Sequence, residues 1–319
     1  MLSNDHLPAR TWEWLKVNDI DLKEANGLIG SAPVNEHVIA SGQTGKTPMY
    51  LDCKVGDAGR QASLHNFEIG AGSVCTVIQF ITSGNGDISS GEHVLQNRYH
   101  ISDGAEFTLI QIQNLNDGWR LYNDCSGICD EGATFRRIQI VLGGGYTYMG
   151  EFCDLAGEKS RFICDIGYNI GGTHNLDMNY VADHHGRNSS SDIHVSGVMS
   201  DRACKVFRGT IDFHRGCAGA KGAEIEEVLL LDDTIENKTV PLILCDEEDV
   251  EGNHGATIGR LDENLIFYMK SRGIDEDEIY SMMAHARIDA VASLIPDMSV
   301  RDRVYEMISG PIERDCLKK

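Results

Sequence analysis

Between residues 213 and 254 the chain collects most of what could hold a metal: His214, Cys217, Glu224, Glu226, Cys245 and His254, with an acidic run from Asp246 to Asp249 before the last. A thiolate, a carboxylate and an imidazole brought to one edge could coordinate iron, and the soft sulfur favours an iron–sulfur species over magnesium or calcium. The competing reading makes the acidic run a solvated turn and Cys245 a small buried apolar residue. Residue chemistry alone leaves the two open. His254 stands between Asn253 and Gly255, so a tight turn with an accessible imidazole is expected there.

Other residues with chemical potential fit known patterns poorly. The ten cysteines are scattered without CxxC spacing, and the nearest pair, Cys125 and Cys129, is split by Ser-Gly-Ile. Neither a zinc ribbon nor a ferredoxin-type cluster is written in them, and most read as buried thiols in a reducing compartment. His184, His185 and His194 could bind a metal, though a polar corner explains the serines between them equally well. Ala40 to Thr47 imitates a phosphate-binding loop, but Pro48 to Asp52 reads as a strand where that loop needs a helix N-terminus.

The elements that must position these groups are mostly strands. From about residue 35 to 250, short β-branched runs such as Thr76 to Ile81, Thr108 to Ile112 and Ile138 to Leu142 are separated by Gly, Asp and Ser. No long amphipathic stretch interrupts them, which disfavours a βαβ sheet. Gly72 to Gln79, Gly104 to Gln111 and Gly132 to Gln139 share one template, a corner glycine and small residue leading to Ile-Gln. Gly157 to Asp165 and Asp201 to Gly209 fit it more loosely. A corner returning at each coil predicts a mainly β chain built as a parallel β-solenoid, with a β-sandwich as the structural alternative. Rungs stacked about 4.8 Å apart would align residues distant in sequence.

Leu7 to Val17 has helical spacing. After residue 260 the chain turns helical again, with Asp262 as N-cap of Leu265 to Arg272 and Gly273 as its stop. Asp275 and Glu278 make a capping box, and Ile279, Met282, Met283, Ala286 and Ala290 mark an apolar face. Pro296 is expected to end that helix and Ser299 to cap a final one. These helices would either cap the solenoid end or dock a partner, a use that flexible methionines suit. The expected divisions are residues 1–30, an N-terminal helical segment; 31–258, the β core; and 259–319, a helical domain.

With 41% hydrophobic and 24% charged residues the composition is that of an ordinary globular chain. A formal net charge of −21 argues against nucleic acid and anionic membranes as partners. With no secretory leader pattern and no apolar run of bilayer length, a cytoplasmic location is expected.

Val206-Phe-Arg-Gly209, Leu229 to Leu231, Pro241, Glu248-Asp-Val250, His254-Gly-Ala-Thr257, Leu261-Asp262, Phe267-Tyr268 and Ser271-Arg-Gly-Ile274 together resemble the SufB/SufD family, scaffold proteins of iron–sulfur cluster assembly. His185, Ser190 and Gly197-Val198 extend the likeness upstream. The resemblance implies a right-handed parallel β-helix core, core–core dimerisation, and a cluster, expected to be [4Fe–4S], held transiently at that interface. It also implies a C-terminal helical domain that docks a SufC-type ABC ATPase, so that ATP hydrolysis belongs to the partner and this chain is no enzyme.

Carried over by position, His254 matches a histidine at the cluster site of SufD chains, and Glu226 falls near the cluster-binding cysteine of SufB chains. Gly252 stands where many SufD chains carry cysteine, which leaves Cys217 and Cys245 as substitutes. The expected ligand set is Cys217, Glu226, Cys245 and His254; the expected docking residues are Ile279, Met282 and Met283. The pattern is closest to compact single-scaffold versions, which implies a homodimer, with a SufB/SufD-like heterodimer as the alternative. Two rivals are a β-helical carbohydrate-active enzyme and a structural adaptor without a cluster. The enzyme would need sugar-stacking aromatics, yet aromatics are only 7% and Trp12 and Trp14 lie outside the strand region.

Overall fold

The computed structural model describes residues 22–30, 32–45, 47–55, 59–83 and 90–308. The helix expected over Leu7 to Val17 lies outside them. Among the described residues, helix α1 (Lys23–Ile29) precedes sixteen strands that alternate between two parallel sheets. One sheet holds β1 (Val34–Ile39), β3 (Arg60–Ile69), β5 (Gly91–Ile101), β7 (Trp119–Cys129), β9 (Tyr146–Leu155), β11 (Asn175–His184), β13 (Cys204–Phe213) and β15 (Glu236–Cys245). The other holds β2 (Met49–Val55), β4 (Val74–Ser83), β6 (Glu106–Leu115), β8 (Thr134–Gly143), β10 (Arg161–Ile170), β12 (Ser190–Met199), β14 (Lys221–Leu230) and β16 (Glu251–Gly259). Each strand pairs with the strand two ahead of it, so the chain winds as a β-solenoid of about seven turns. The segment imitating a phosphate loop is the corner between β1 and β2 and leads into a strand.

The glycine of the repeating template sits where a corner needs a left-handed backbone: φ is 62° at Gly72, 63° at Gly104 and 64° at Gly132. The same position in later rungs is taken by Lys159 at 60° and Asn188 at 55°, and by Gly219 at 79°. That is why the repeat fades from the sequence although the solenoid continues. Asparagine tolerates this conformation; lysine adopts it at a cost of about 1–2 kcal/mol.

The Ile-Gln end of the template splits between two faces. Gln79, Gln111 and Gln139 are in register and point inward as an amide ladder, Gln111 donating to Gln79 at 2.7 Å and Gln139 to Gln111 at 2.8 Å. Ile78, Ile110 and Ile138 point outward and are covered by α3 (Glu276–Ala292) and α4 (Met298–Ile308) through Ile288, Val291, Val300 and Val304. Inside, Phe67, Phe107, Phe135 and Phe162 stack with centroids 5.2, 5.6 and 5.7 Å apart. Cys125, Cys129, Cys153 and Cys164 are wholly buried beside them, as expected of most of the thiols. Arg137 is also enclosed and donates to Glu151 and Gln111, so its charge is both paired and hydrogen-bonded.

The outer face of the other sheet is covered by α1, where Ala25 and Ile29 meet Leu64, Val94 and Tyr122. Among the described residues, then, the helices flank the solenoid. They do not cap its C-terminal end. Helix α2 (Glu263–Ser271) is capped by Asp262 and followed by Gly273 at φ 90°, and α3 by Asp275, as expected. Helix α4 departs from expectation. Its cap is Asp297, which accepts from the backbone N–H of Ser299 at 2.9 Å, while the Ser299 hydroxyl itself donates to Asp297. A carboxylate two residues earlier reaches the free N–H groups that the serine was expected to serve.

Candidate functional site

The solenoid stops at the rung formed by β15 and β16, and no described strand pairs with either on its outer side. Register decides which side chains face that open end. Ile211 and Phe213 point into the interior, and their partners one rung on are Ile243 and Cys245. Glu224 and Glu226 are buried on β14, and their partners are His254 and Ala256. Gly252 lets the last two strands close on each other, since an added Cβ would stand 3.1 Å from Ile243 and 3.2 Å from Phe213. Cys245 and His254 therefore belong to inward-facing rows, yet both are exposed because no further rung covers them.

The tight turn expected around His254 is not there. Residues 251–259 are extended and paired residue by residue with β14. The imidazole is accessible because its strand is an edge, not because the backbone turns.

Behind His254 lies a closed ionic group. Lys205 and Glu226 are wholly buried and paired. Lys205 also donates to Thr239 Oγ1 at 3.2 Å, and the Thr239 hydroxyl donates to Glu226 at 2.6 Å. Gly209 makes room for the Glu224 carboxyl, with which any Cβ there would collide. Burial pushes Glu224 up, the charge of Glu226 pushes it further, and Lys205 opposes them only in part, so it titrates at about 8. At neutral pH Glu224 therefore holds a proton and adds no further charge beside the Lys205–Glu226 pair.

The four expected ligands thus occupy different settings. Cys217 is wholly buried in the turn after β13, against Ile211, Phe213 and Ala220. Burial first, then the charge of Glu247, raises its thiol to about 11, which keeps it protonated and a poor ligand as it stands. Glu226 would have to release Lys205 before meeting a metal. Cys245 is the one exposed thiol among nine described cysteines, Cys204 being half-buried and the rest buried. Its Sγ donates to the Glu247 carbonyl at 3.0 Å. The structure sets Cys245 and His254 on one open face, apart along the rung, with Cys217 and Glu226 behind it.

The expected docking residues divide similarly. Ile279 is wholly buried, and Met283 packs against the cluster of Val198, Leu229 and Leu231. Met282 remains 47% exposed. The apolar face of α3 is spent on the sheet beneath it. Helix α2 buries no residue and presents Phe267, 75% exposed, beside Tyr268 and Leu265.

Sequence reasoning missed Lys205 and the protonated state of Glu224. On β14 the usual alternation is inverted, with Glu224 and Glu226 inside and Ile225 half-exposed. Two glutamates flanking an isoleucine read as a polar face until register assigns them to the lumen.

A family model for "SUF system FeS cluster assembly, SufBD core domain" matches residues 54–287. The chain belongs to the SufBD family. Like the SufBD core matched, it is similar over 225 residues, at 28% identity, to the iron-sulfur cluster assembly protein SufD of Bacillus subtilis (strain 168), covering 66% of this chain and 48% of that protein. Similarity to SufD of Escherichia coli (strain K12) is 25% over 249 residues, 76% of this chain and 57% of that one. SufB of Bacillus subtilis (strain 168) is 29% identical over 170 residues, 53% of this chain and 36% of that protein. This SufBD chain spans about half the length of the SufD relatives it matches. The expected family and its β-helical core are both borne out. Among the described residues no helix is long and apolar enough to cross a membrane.

Proposed function

We propose that this chain is a scaffold on which a nascent iron–sulfur cluster is held between two cores, working with a SufC-type ABC ATPase that hydrolyses the ATP. The observation that supports it is the uncovered final rung, with an exposed thiol at Cys245 and an exposed imidazole at His254 on strands whose outer edges are free. A free parallel edge is a template for another chain. A two-fold mate would apply the same patch to itself and bring two thiols and two imidazoles to one seam. Four soft or borderline donors suit the iron of a [4Fe–4S] cluster, whereas one chain supplies too few.

In this reading Cys217 shapes the turn beside Cys245, and Glu226 anchors Lys205 beneath the floor of the site. A homodimer is the simplest assembly; a heterodimer with another SufBD chain would use the same edge. The ATPase docks on the exposed aromatic face of α2, with Met282 on the adjoining α3, in a cytoplasmic complex.

Anaerobic reconstitution with ferrous iron and sulfide tests the site. A broad visible absorption is expected from a dimeric species, and it should fall sharply in a Cys245→Ser/His254→Ala double variant. An undiminished cluster in that variant would refute the assignment. Co-purification with a SufC-type ATPase should be lost in Phe267→Asp and retained in Met283→Leu.

A further inference from the structure

A second set of metal-binding atoms lies where strands of the odd-numbered sheet end and the chain turns toward the other sheet. Register sets Asp183 of β11 beside Asp212 of β13 and His184 beside Phe213. The residues that follow, His185 and His214, stack with ring centroids 4.2 Å apart and planes 7° from parallel. Gly186 permits the chain to turn directly after His185, since a Cβ there would collide with the carbonyl of Gly157. One carboxylate serves both rings: Asp183 Oδ1 is 2.7 Å from His214 Nε2, and Asp183 Oδ2 is 3.1 Å from His185 Nε2. Asp212 Oδ2 stands 3.6 Å from His214 Nε2. One ligand atom each from Asp183, His185 and His214 lie within 4.8 Å of one another.

We infer that this corner binds a first-row divalent transition-metal ion through His185, His214 and Asp183, with Asp212 in reserve. Two imidazoles and a carboxylate are the donors of open zinc and non-haem iron(II) sites, whereas magnesium and calcium take oxygen throughout. Three protein ligands leave positions for water, so the ion would exchange readily. Both Nε2 atoms converge on the one carboxylate, so a dication seated among them would serve all three groups at once.

The place of the corner matters as well. Asp246 N–H donates to the Phe213 carbonyl at 2.8 Å, so the next rung along, about 4.8 Å away, is the one that carries Cys245. Where the ion is ferrous iron, the corner holds it one rung from the open edge. Only that choice of metal rests on the proposed function.

Anaerobic titration of the full, untagged chain with Co²⁺, read by its visible ligand-field bands and by competition with Fe²⁺, tests this. One saturable site per chain is expected. His185→Ala and His214→Ala should each weaken it by roughly 100-fold or more, since even partners of metal ligands are worth about 10–100-fold. Cys245→Ser and His254→Ala should leave it unchanged. No saturable site, wild-type affinity in both histidine variants, or a loss confined to Cys245→Ser would each overturn the inference. If His214→Ala fails to fold by circular dichroism, the exposed His185→Gln makes the same comparison. A wild-type chain that binds Co²⁺ here but forms no cluster would sink the scaffold reading and leave this one standing.

Discussion

Glu224 and Glu226 stand two residues apart on the same face of one strand, yet only Glu226 has a cation in hand. That contrast sets what substitutions should do. Glu226→Ala leaves Lys205 buried and unpaired, and is expected to cost about 3–5 kcal/mol in denaturant unfolding, with or without iron. Replacing both, as Lys205→Met with Glu226→Leu, should recover much of that loss. At the opposite end of the solenoid, His93 is buried with no hydrogen-bond partner for either ring nitrogen among the described residues. Burial, then the neighbouring His65, lowers it to about 4. A histidine depressed in the folded state favours folding above its unfolded pKa near 6.5 and loses that favour as pH falls toward 4. His93→Gln should therefore flatten the acid limb of the stability curve, by about 2–3 kcal/mol at pH 4. Parallel urea titrations at pH 7 and pH 4 check it; an unchanged difference between the two would contradict the assigned burial effect.

Among the elements, the corners and the flanking helices carry the stability arguments. Lys159 occupies a left-handed corner that glycine fills in earlier rungs. Lys159→Gly is expected to stabilise the chain by about 1 kcal/mol, read as a higher melting temperature. Ile288→Ala, under the Ile78–Ile110–Ile138 row, should cost about 2–4 kcal/mol by opening a cavity between helix and sheet. The first three corners were legible because a glycine signals them directly. The one at Lys159 was read only as a loose copy beginning at Gly157, and the one at Asn188 was not read, because stacking on neighbours holds them in a conformation their own residue types do not announce. The apolar face of α3 was equally legible, but periodicity says only that a face is buried. It does not distinguish the chain's own sheet from a partner.

At the scale of the molecule, what counts is that among the described residues no strand covers the last rung. The helices lie along the flanks, and the last rung shows its interior rows to solvent. Ile258, 40% exposed on that rung, should meet the mate in a dimer. Ile258→Asp is expected to weaken self-association at least ~10-fold, about 1.4 kcal/mol, by sedimentation velocity. An unaltered dimer would move the interface elsewhere. With a net charge of −21 on each chain, the proposed self-association is expected to strengthen with salt, since screening relieves repulsion between two such chains.

Strand content, corner spacing, the Ile-Gln repeat and the family likeness were all fixed by residue type and local spacing, which a linear reading captures. The burial of Glu226 and Cys217, the exposure of Cys245, the edge-strand setting of His254, and the meeting of His185 with His214 were not. Each depends on register between rungs some thirty residues apart and on where stacking stops, and those are properties of the wound chain rather than of any segment in it.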